Sequence, residues 1–475
     1  MNRQITQLFV LVMVLFAVLV GFTSRWTVWE ADDLEANAAN RRGLLEEQRV
    51  PRGLVLARDG TVLARSRGRG RRETRRYERV YPEDGLFAHA IGYSYIQLGR
   101  AGLEKSTNDQ LTGKTGELQS IVRELSGGAR EGNDVRTTLD PKAQRTALDA
   151  LGGRAGSIVA VEPETGRVRV MASVPGYDPN EVPRRFSQLN RATGSPVFNR
   201  ATQARYPPGS TFKVVTATAA LESGRYEPST IVDGSSPKVV SGAPLANFGG
   251  QSYGPISLTD ALTNSVNTVW AEVGTRVGGE AMAETMRKFG FGDVPPLDYP
   301  PEQMTPSGIF SGRNLISANR RSVDLGRLSI GQERLQVTPL QMAMVAAAVA
   351  NGGTLMAPRL IERVTDPEGR VVDRSGTEEM SEVMSRESAG QLTAMMASVV
   401  EEGSGTAAAL EGIPVAGKTG TAEVDGGAAN QAWFIGFAPV ERPRMAVAVT
   451  VERTQGQGGT VAAPLAKRVL QDLVG

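Results

Sequence analysis

The sequence contains no cysteine and only one histidine. Without cysteine the chain can form no disulfide, no thiolate nucleophile and no thiolate metal site. The single histidine, His89, lies far upstream of the motifs described below and cannot readily be placed among them. A serine nucleophile in this chain would therefore need a base other than histidine, which argues against a Ser-His-Asp hydrolase. Lysine is the natural substitute.

Lysine itself is scarce in this chain. Only eight of the 53 basic residues are lysine, so arginine carries most of the positive charge. A lysine that is kept despite this bias suggests a role that arginine cannot fill, because only the amine can lose its proton near neutral pH. The eight lysines stand at positions 105, 114, 142, 213, 238, 288, 418 and 467. Lys213 and Lys418 are the two that lie in candidate motifs.

Size and charge set broad limits on the class of protein. With 475 residues, 40% apolar and 22% charged, the chain is long enough for two or three domains with a sizeable core. The formal net charge of +2 gives no reason to expect nucleic acid as the main partner.

The amino terminus carries the one long apolar run. Residues 8–22 are unbroken apolar residues preceded by Arg3, and continuing to Trp29 gives a segment long enough to cross ~30 Å of hydrocarbon. Trp26 and Trp29 would then lie at the outer interface. A cleaved signal peptide is the alternative, but no Ala-x-Ala-like site follows the run. We expect residues 1–30 to be a cytoplasmic tail and an uncleaved single-pass anchor in the plasma membrane, with the rest of the chain outside.

Residues 31–145 are predicted to form a separate module of short strands and turns. Residues 52–64 are expected to form a hairpin around the Asp59-Gly60 turn. An arginine cluster follows at positions 65, 67, 69, 71, 72, 75, 76 and 79. Its alternation from 65 to 71 suits one solvated face of a strand. Contact with an acidic partner, lipid phosphate or anionic wall polymer is the functional alternative.

The C-terminal domain is predicted to span residues 146–475. Strands are expected at 157–162 and 167–172, around a Pro-Glu-Thr-Gly turn, and again at 414–424, 431–438 and 444–452. Helical patterns occupy 211–222, 258–274, 336–351 and 386–402. These patterns favour a mixed sheet with helices packed on it, an α+β arrangement.

A Ser-x-x-Lys motif lies at the start of the first of these helical patterns. Residues 206–213 read Tyr-Pro-Pro-Gly-Ser-Thr-Phe-Lys, so a helix is expected to begin at Ser210 after the prolines and glycine. Lys213, three residues on, would share the helix face of Ser210. A hydroxyl beside an amine at a helix N-terminus is a candidate nucleophile and base. The ordinary alternative is an N-cap serine and a surface lysine.

Two further motifs follow downstream. Ser265-Val266-Asn267 begins 55 residues after Ser210, and Lys418-Thr419-Gly420-Thr421 begins 153 residues after Ser265. A glycine inside a strand is expected where the backbone of a ligand approaches closely. Taken singly, the first of the two could be a simple helix break and the second an exposed strand residue.

Together, in this order, the three motifs resemble the signature of penicillin-binding proteins and serine β-lactamases. Other segments resemble landmarks of class B penicillin-binding proteins, and the sequence around Ser210 is most similar to that of the actinobacterial penicillin-binding protein A group. These segments are residues 52–60, 99–104, 138–140, 172–180, 199–201, 329–332, 337–343, 350–353 and 432–437. The resemblance covers nearly the whole chain from about residue 50, without the large glycosyltransferase domain of class A enzymes.

The resemblance implies a penicillin-recognising serine transpeptidase fold, which is an antiparallel sheet flanked by helices with a helical subdomain. A small β-rich pedestal or dimerisation module precedes this domain in the chain. It implies a DD-transpeptidase without metal or cofactor. Ser210 would attack the penultimate D-Ala of a peptidoglycan stem peptide, with Lys213 as base. For that role the Lys213 amine must be neutral, and burial and the Lys418 cation would both lower its pKa. Ser265 would relay the proton to the leaving amine.

Substrate binding is implied for the remaining motif residues. Asn267 would hold the substrate amide, and Lys418, Thr419 and Thr421 would receive the terminal carboxylate beside Gly420. The backbone N–H groups of Ser210 and Thr421 would form the oxyanion hole. Stem peptides ending in D-Ala-D-Ala, β-lactam antibiotics and a SEDS-family (RodA/FtsW-like) membrane glycosyltransferase are the implied partners.

Two alternatives stay open at this stage. Val266 stands where class A β-lactamases have Asp, but this position varies among class B penicillin-binding proteins. No obvious glutamate motif for rapid deacylation by water is present, which favours transpeptidation over β-lactamase activity. The separate N-terminal module and the anchor also favour transpeptidation over hydrolysis by a DD-carboxypeptidase or β-lactamase. The other alternative is a scaffold that activates the glycosyltransferase and whose own catalysis is dispensable.

Overall fold

The structure is a computed structural model that describes residues 2–25, 47–71, 75–114 and 131–475. Its labelled helices are α1 Asn2–Ser24, α2 Ala88–Ile91, α3 Leu103–Ser106, α4 Asn108–Leu111, α5 Pro141–Leu151, α6 Val182–Arg191, α7 Lys213–Glu222, α8 Leu258–Thr263, α9 Asn267–Val277, α10 Gly279–Lys288, α11 Leu325–Leu328, α12 Pro339–Ala350, α13 Arg386–Glu401 and α14 Ala463–Val474. Its strands are β1 Val55–Leu56, β2 Val62–Arg69, β3 Arg76–Val80, β4 Ser94–Tyr95, β5 Gly99–Arg100, β6 Asp134–Thr137, β7 Gly156–Val161, β8 Val168–Val174, β9 Ile231–Asp233, β10 Lys238–Val240, β11 Ala243–Leu245, β12 Pro255–Ser257, β13 Gly308–Ser311, β14 Asn314–Ile316, β15 Leu335–Gln336, β16 Thr354–Met356, β17 Ile361–Thr365, β18 Val371–Arg374, β19 Glu379–Glu382, β20 Ala416–Val424, β21 Ala429–Ala438 and β22 Met445–Thr454.

Helix α1 is long and apolar enough to cross a membrane. Its apolar part, Arg3–Ser24, contains an 18-residue window with a mean hydropathy of 2.7, and no part of that window is buried against the described residues. A helix of this length spans about 35 Å, slightly more than a hydrocarbon core. The predicted positions of Trp26 and Trp29, and the predicted boundary at residue 30, lie outside the described residues.

The N-terminal module is built on a six-stranded sheet. Its strand order is β18-β17-β6-β1-β2-β3. β1 and β2 form the predicted antiparallel hairpin around Asp59-Gly60, whereas β1 pairs with β6 in parallel. On β2, Arg65, Arg67 and Arg69 are exposed, which confirms the predicted solvated face.

This sheet crosses the boundary predicted near residue 145. Two of its strands, β17 and β18, come from the C-terminal half of the chain, and β17 pairs with β6. Backbone hydrogen bonds therefore join the two predicted parts into one sheet. The division into residues 31–145 and 146–475 remains a prediction from the sequence.

The larger part of the chain is organised around a five-stranded sheet of order β20-β21-β22-β7-β8. All four pairings are antiparallel, so the mixed sheet expected from the patterns is wrong here and the antiparallel sheet implied by the resemblance is confirmed. The reason is that β7–β8 and β20–β21–β22 follow one another along the chain through short turns, and such connections pair strands in antiparallel fashion. Strand β20 lies at the edge.

Helices cover both faces of this sheet. On β21, Phe434 belongs to the core beneath α5 and α14, while Ile435 and Phe437 belong to the core that contains α12. Because successive strand side chains point to opposite faces, a strand buried on both sides is apolar without alternation. Helix α13 packs on the edge strand β20. A helical subdomain that includes α7, α8, α9 and α10 packs on α13 through α7 and α8, and Trp270 and Phe289 are fully buried in it.

Candidate active site

Ser210 lies in a 3₁₀ turn and not in the first turn of an α-helix. The turn is Gly209–Phe212, and helix α7 begins at Lys213, so the α-helix starts two to three residues after the predicted start at 210–211. Gly209 has a φ of +52°, which a helix cannot accommodate. Residues i and i+3 eclipse each other in a 3₁₀ turn, so Lys213 still lies one turn from Ser210, as predicted.

Glycines press this turn against its neighbours. A Cβ on Gly331 would lie 1.9 Å from the Gly209 carbonyl oxygen, and one on Gly420 would lie 2.7 Å from the Pro208 carbonyl oxygen. The backbone that approaches Gly420 is thus the protein's own nucleophile turn, a reason for glycine that the sequence could not reveal. Gly209 also donates its N–H to the Gly331 carbonyl oxygen at 3.0 Å. These contacts fix Ser210 at the edge of β20.

Ser265 lies between two helices. The predicted single helix over 258–274 is divided into α8 and α9, and Ser265, at the break, has a φ of +56°. A positive φ is strained for serine and is found mostly where surrounding contacts impose it. Here the break turns both the hydroxyl and the carbonyl oxygen of Ser265 toward Lys213.

The Lys213 amine is fully buried and has three oxygen neighbours. It donates to the Ser265 carbonyl oxygen at 2.7 Å and to Asn267 Oδ1 at 2.7 Å, and it lies 3.2 Å from Ser265 Oγ. Burial, and second the nearby Lys418 cation, hold the pKa of Lys213 well below its ordinary value. Both predicted causes are confirmed. A neutral amine is what a base needs.

Lys418 extends from β20 to the other side of Ser265. Its amine, also fully buried, lies 3.0 Å from Ser265 Oγ and 3.0 Å from the Thr419 carbonyl oxygen. Burial lowers the pKa of Lys418 to about 7. Ser265 Oγ therefore lies between two lysine amines, within hydrogen-bond distance of each.

The structure brings all eight predicted site residues into one place. The members are Ser210, Lys213, Ser265, Asn267, Lys418, Thr419, Gly420 and Thr421. The half-buried Ser210 hydroxyl has no hydrogen-bond partner among the described residues. Within the same ranges, no group of three His, Asp or Glu residues is placed to hold a metal ion.

Three supporting residues carry no specific role in the sequence-based predictions. Gly331 lies in a segment that resembles a family landmark, and in the structure it abuts the nucleophile turn. Tyr206 exchanges two backbone hydrogen bonds with Val337, and Trp433 donates its indole N–H to the Pro207 carbonyl oxygen at 3.0 Å. All three lie in segments that resemble family landmarks, which was the available signal.

Comparison with known proteins identifies the class to which this fold and site belong. Residues 156–471 match the penicillin-binding protein transpeptidase domain, and residues 52–135 match the penicillin-binding protein A dimerisation domain. The first match alone spans more than half of the chain. The chain belongs to the class B penicillin-binding proteins.

The chain matches mycobacterial relatives over nearly their whole length. The chain is 34% identical to the peptidoglycan D,D-transpeptidase PbpA of Mycolicibacterium smegmatis, over 99% of this chain and 98% of that protein. It is 33% identical to PbpA of Mycobacterium tuberculosis, over 99% of both chains. The solved structure of M. tuberculosis penicillin-binding protein A as a ceftriaxone acyl-enzyme complex has a TM-score of 0.81, covers 91% of this chain and 100% of that one, and is 32% identical.

Proposed function

We propose that this protein is a peptidoglycan D,D-transpeptidase that works through a Ser210 acyl-enzyme and is inhibited by penicillins. The observation that carries the proposal is the buried Lys213 amine, one turn from Ser210 and held by Ser265 and Asn267. Relatives that match 99% of this chain are named peptidoglycan D,D-transpeptidases, which supports the same reaction.

The contacts of the Lys213 amine support its role as the base of the acylation step. A neutral lysine has two N–H bonds and one lone pair. The two short contacts of Lys213, to the Ser265 carbonyl oxygen and to Asn267 Oδ1, engage both N–H bonds because these oxygens can only accept. The lone pair is left to take the Ser210 proton as Ser210 Oγ bonds to the carbonyl carbon of the penultimate D-Ala.

The contacts of Ser265 support a role for its hydroxyl in completing this step. When the C–N bond to the terminal D-Ala breaks, the leaving nitrogen needs a proton. Ser265 Oγ, 3.2 Å from Lys213 Nζ and 3.0 Å from Lys418 Nζ, can pass one on from the lysine pair. An amine of a second stem peptide then attacks the acyl-enzyme, forms the cross-link and frees Ser210.

Substrate binding is assigned to the groups around this centre. Asn267 holds the substrate amide, and Lys418 with the Thr419 and Thr421 hydroxyls receives the terminal carboxylate. The backbone N–H groups of Ser210 and Thr421 bind the oxyanion, a contribution typically worth ~10²–10³ in rate per donor. The close packing of the nucleophile turn on β20 at Gly420 supports this pairing.

The adduct with a labelled penicillin tests the site. Full-length protein in detergent is incubated with the label and the modified peptide is mapped by mass spectrometry. We expect stable attachment at Ser210, lost in Ser210→Ala and in Lys213→Ala but kept in Lys467→Ala, which removes an exposed lysine. Attachment at another residue would overturn the assignment.

The acceptor decides between transpeptidase and DD-carboxypeptidase. Reaction of a D-Ala-D-Ala stem peptide with and without an added amine acceptor, followed by product analysis, separates them. Cross-linked product with the amine supports the proposal, whereas hydrolysis alone, unaffected by the amine, would assign the carboxypeptidase activity.

We infer further that α1 anchors the protein in the plasma membrane with its N-terminus in the cytoplasm, and that α1 and the N-terminal module bind a SEDS-family glycosyltransferase. The apolar helix and the family support this arrangement. Protease protection of a tagged N-terminus tests the orientation, and co-purification tests the partner. If Ser210→Ala supported normal wall growth in cells, activation of the partner, and not catalysis, would be the essential role.

A further inference from the structure

A short loop lies against the strand that carries the Lys-Thr-Gly motif. Residues 403–405, Gly-Ser-Gly, follow helix α13, and Ser404 Oγ lies 2.6 Å from Thr419 Oγ1. Ser404 is exposed, whereas Thr419 is 6% exposed. Nothing in the three sequence motifs points to Ser404, which stands outside all of them.

The loop is fixed on both sides. Ser404 donates its N–H to the Thr263 carbonyl oxygen at 3.3 Å, at the end of the helix that precedes Ser265. A Cβ on Gly403 would lie 2.5 Å from the same Thr263 oxygen, and a Cβ on Gly459 would lie 2.4 Å from the Ser404 carbonyl oxygen. The Ser404 backbone is therefore held between the Ser265 segment and the chain after β22, so its hydroxyl has a defined position beside Thr419.

Thr421 shows what a carboxylate receptor needs. Thr419 and Thr421 point to the same face of β20 because they are two residues apart on a strand. Thr421 Oγ1 accepts a hydrogen bond from the Gly458 N–H at 3.1 Å. A backbone N–H can only donate, so the Thr421 hydroxyl proton stays available for another acceptor. A carboxylate is such an acceptor, since it has no proton to give.

The Thr419 hydroxyl must also keep its proton free to donate to a carboxylate, but its neighbour is the Ser404 hydroxyl and not a backbone N–H. In its contact with Ser404, either hydroxyl can be the donor. Only when Ser404 donates is the Thr419 proton free for a ligand. A bound carboxylate would select that direction and align a chain from Ser404 through Thr419 to the ligand, in which each hydrogen bond polarises the next.

We propose that Ser404 is a positioning residue that orients the Thr419 hydroxyl toward the carboxylate of the substrate or β-lactam. This inference rests on the proposed function, because it deepens the assignment of Thr419 to the carboxylate site. Ser404 acts through Thr419, so its effect depends on the negative charge of the ligand. A residue that merely supported the fold would affect charged and neutral ligands alike.

The test compares two ligands that differ only in that charge. Second-order acylation rate constants are measured for full-length protein with benzylpenicillin and with its methyl ester, in wild type, Ser404→Ala, Ser404→Thr and Thr406→Ala. Thr406 is an exposed threonine two residues further along the chain. Thermal unfolding of each variant shows whether it is folded.

We expect Ser404→Ala to slow acylation by benzylpenicillin about three- to tenfold, the range for one neutral hydrogen bond, and to leave acylation by the ester unchanged. Ser404→Thr, which keeps the hydroxyl, restores the rate with benzylpenicillin, and Thr406→Ala behaves as wild type. Equal loss with both ligands, no loss with benzylpenicillin, or no rescue by threonine would overturn the inference.

The same data separate this inference from the proposed function. If wild type forms no adduct at Ser210 with either ligand, the proposed function fails and the inference fails with it. If wild type is acylated at Ser210 but Ser404→Ala leaves the ratio of the two rate constants unchanged, the proposed function stands and the role of Ser404 is wrong.

Discussion

Lys213 Nζ lies 2.7 Å from Asn267 Oδ1, so a neutral amide and not a carboxylate holds the buried amine. Asn267 Nδ2 donates to the Ala246 carbonyl oxygen at 3.2 Å, which keeps the amide oxygen turned toward Lys213. An amide accepts from the amine without stabilising its charged form as an anion would. This pairing is therefore compatible with a base that is neutral at physiological pH.

Replacing that amide by a carboxylate should raise the pKa of Lys213. In Asn267→Asp, the new negative charge favours the ammonium form. We expect penicillin acylation at pH 7 to fall about tenfold for each unit by which the pKa of Lys213 rises, and the rising limb of the pH profile to move to higher pH. Asn267→Ala is the control: it loses an acceptor without adding charge, so its rate should be lower at every pH without that shift. A profile of Asn267→Asp parallel to that of Asn267→Ala would contradict the prediction.

The wild-type protein should show a bell-shaped pH dependence of acylation. The rate rises with pH as Lys213, whose pKa lies well below the ordinary value, loses its proton and becomes a base. It falls again as Lys418, with a pKa of about 7, loses the positive charge beside Ser265 and the carboxylate site. Stopped-flow acylation between pH 5 and 9 measures both limbs. A rate that still climbs steadily up to pH 9, as an ordinary lysine base would give, would show that burial does not lower the pKa values of this lysine pair.

Gly331→Ala should disable the nucleophile turn. Its Cβ would lie 1.9 Å from the Gly209 carbonyl oxygen, and its φ of +75° disfavours alanine. We expect a loss of about 1–3 kcal/mol in the free energy of unfolding and, because Ser210 is displaced, a loss of up to about 100-fold in acylation. Gly312→Ala is the matched control, since Gly312 has a φ of +63° but open space around it. That variant should lose some stability and keep its acylation rate; an equal loss of acylation would mean that strain alone is responsible.

His89 should make the protein less stable in mild acid. The ring is buried, its Nε2 donates to the Pro196 carbonyl oxygen at 2.8 Å, and burial lowers its pKa to about 4 from an ordinary value of 6.5. Between these values the unfolded chain binds a proton that the folded chain does not, so stability falls as pH falls. From pH 6.5 to 5 this group alone lowers the free energy of unfolding by about 1.5 kcal/mol. Chemical denaturation over that range should show a smaller loss in His89→Gln; an unchanged slope would exclude His89 as the cause.

Much of the secondary structure could be predicted from the sequence because the patterns that indicate strands and helices are local. The strands predicted at 414–424, 431–438 and 444–452 correspond to Ala416–Val424, Ala429–Ala438 and Met445–Thr454. An apolar run bounded by turn residues predicts a buried strand, and such a run is visible directly in the sequence. The sheet shared between the two parts of the chain was not readable, because β6 and β17 are far apart in sequence and their pairing is decided only when the chain folds.

For the site, the sequence by itself determined the chemical inventory. The absence of cysteine and the isolation of His89 left a lysine as base, and the order of the three motifs named Ser210, Lys213 and Ser265. Only the tertiary structure decided how those groups behave. Burial and the proximity of Lys418 set the pKa of Lys213, and the loop of Ser404 reaches Thr419 through packing between distant segments. Electrostatics and steric contact depend on distance in space, and that distance is fixed only by the folded chain.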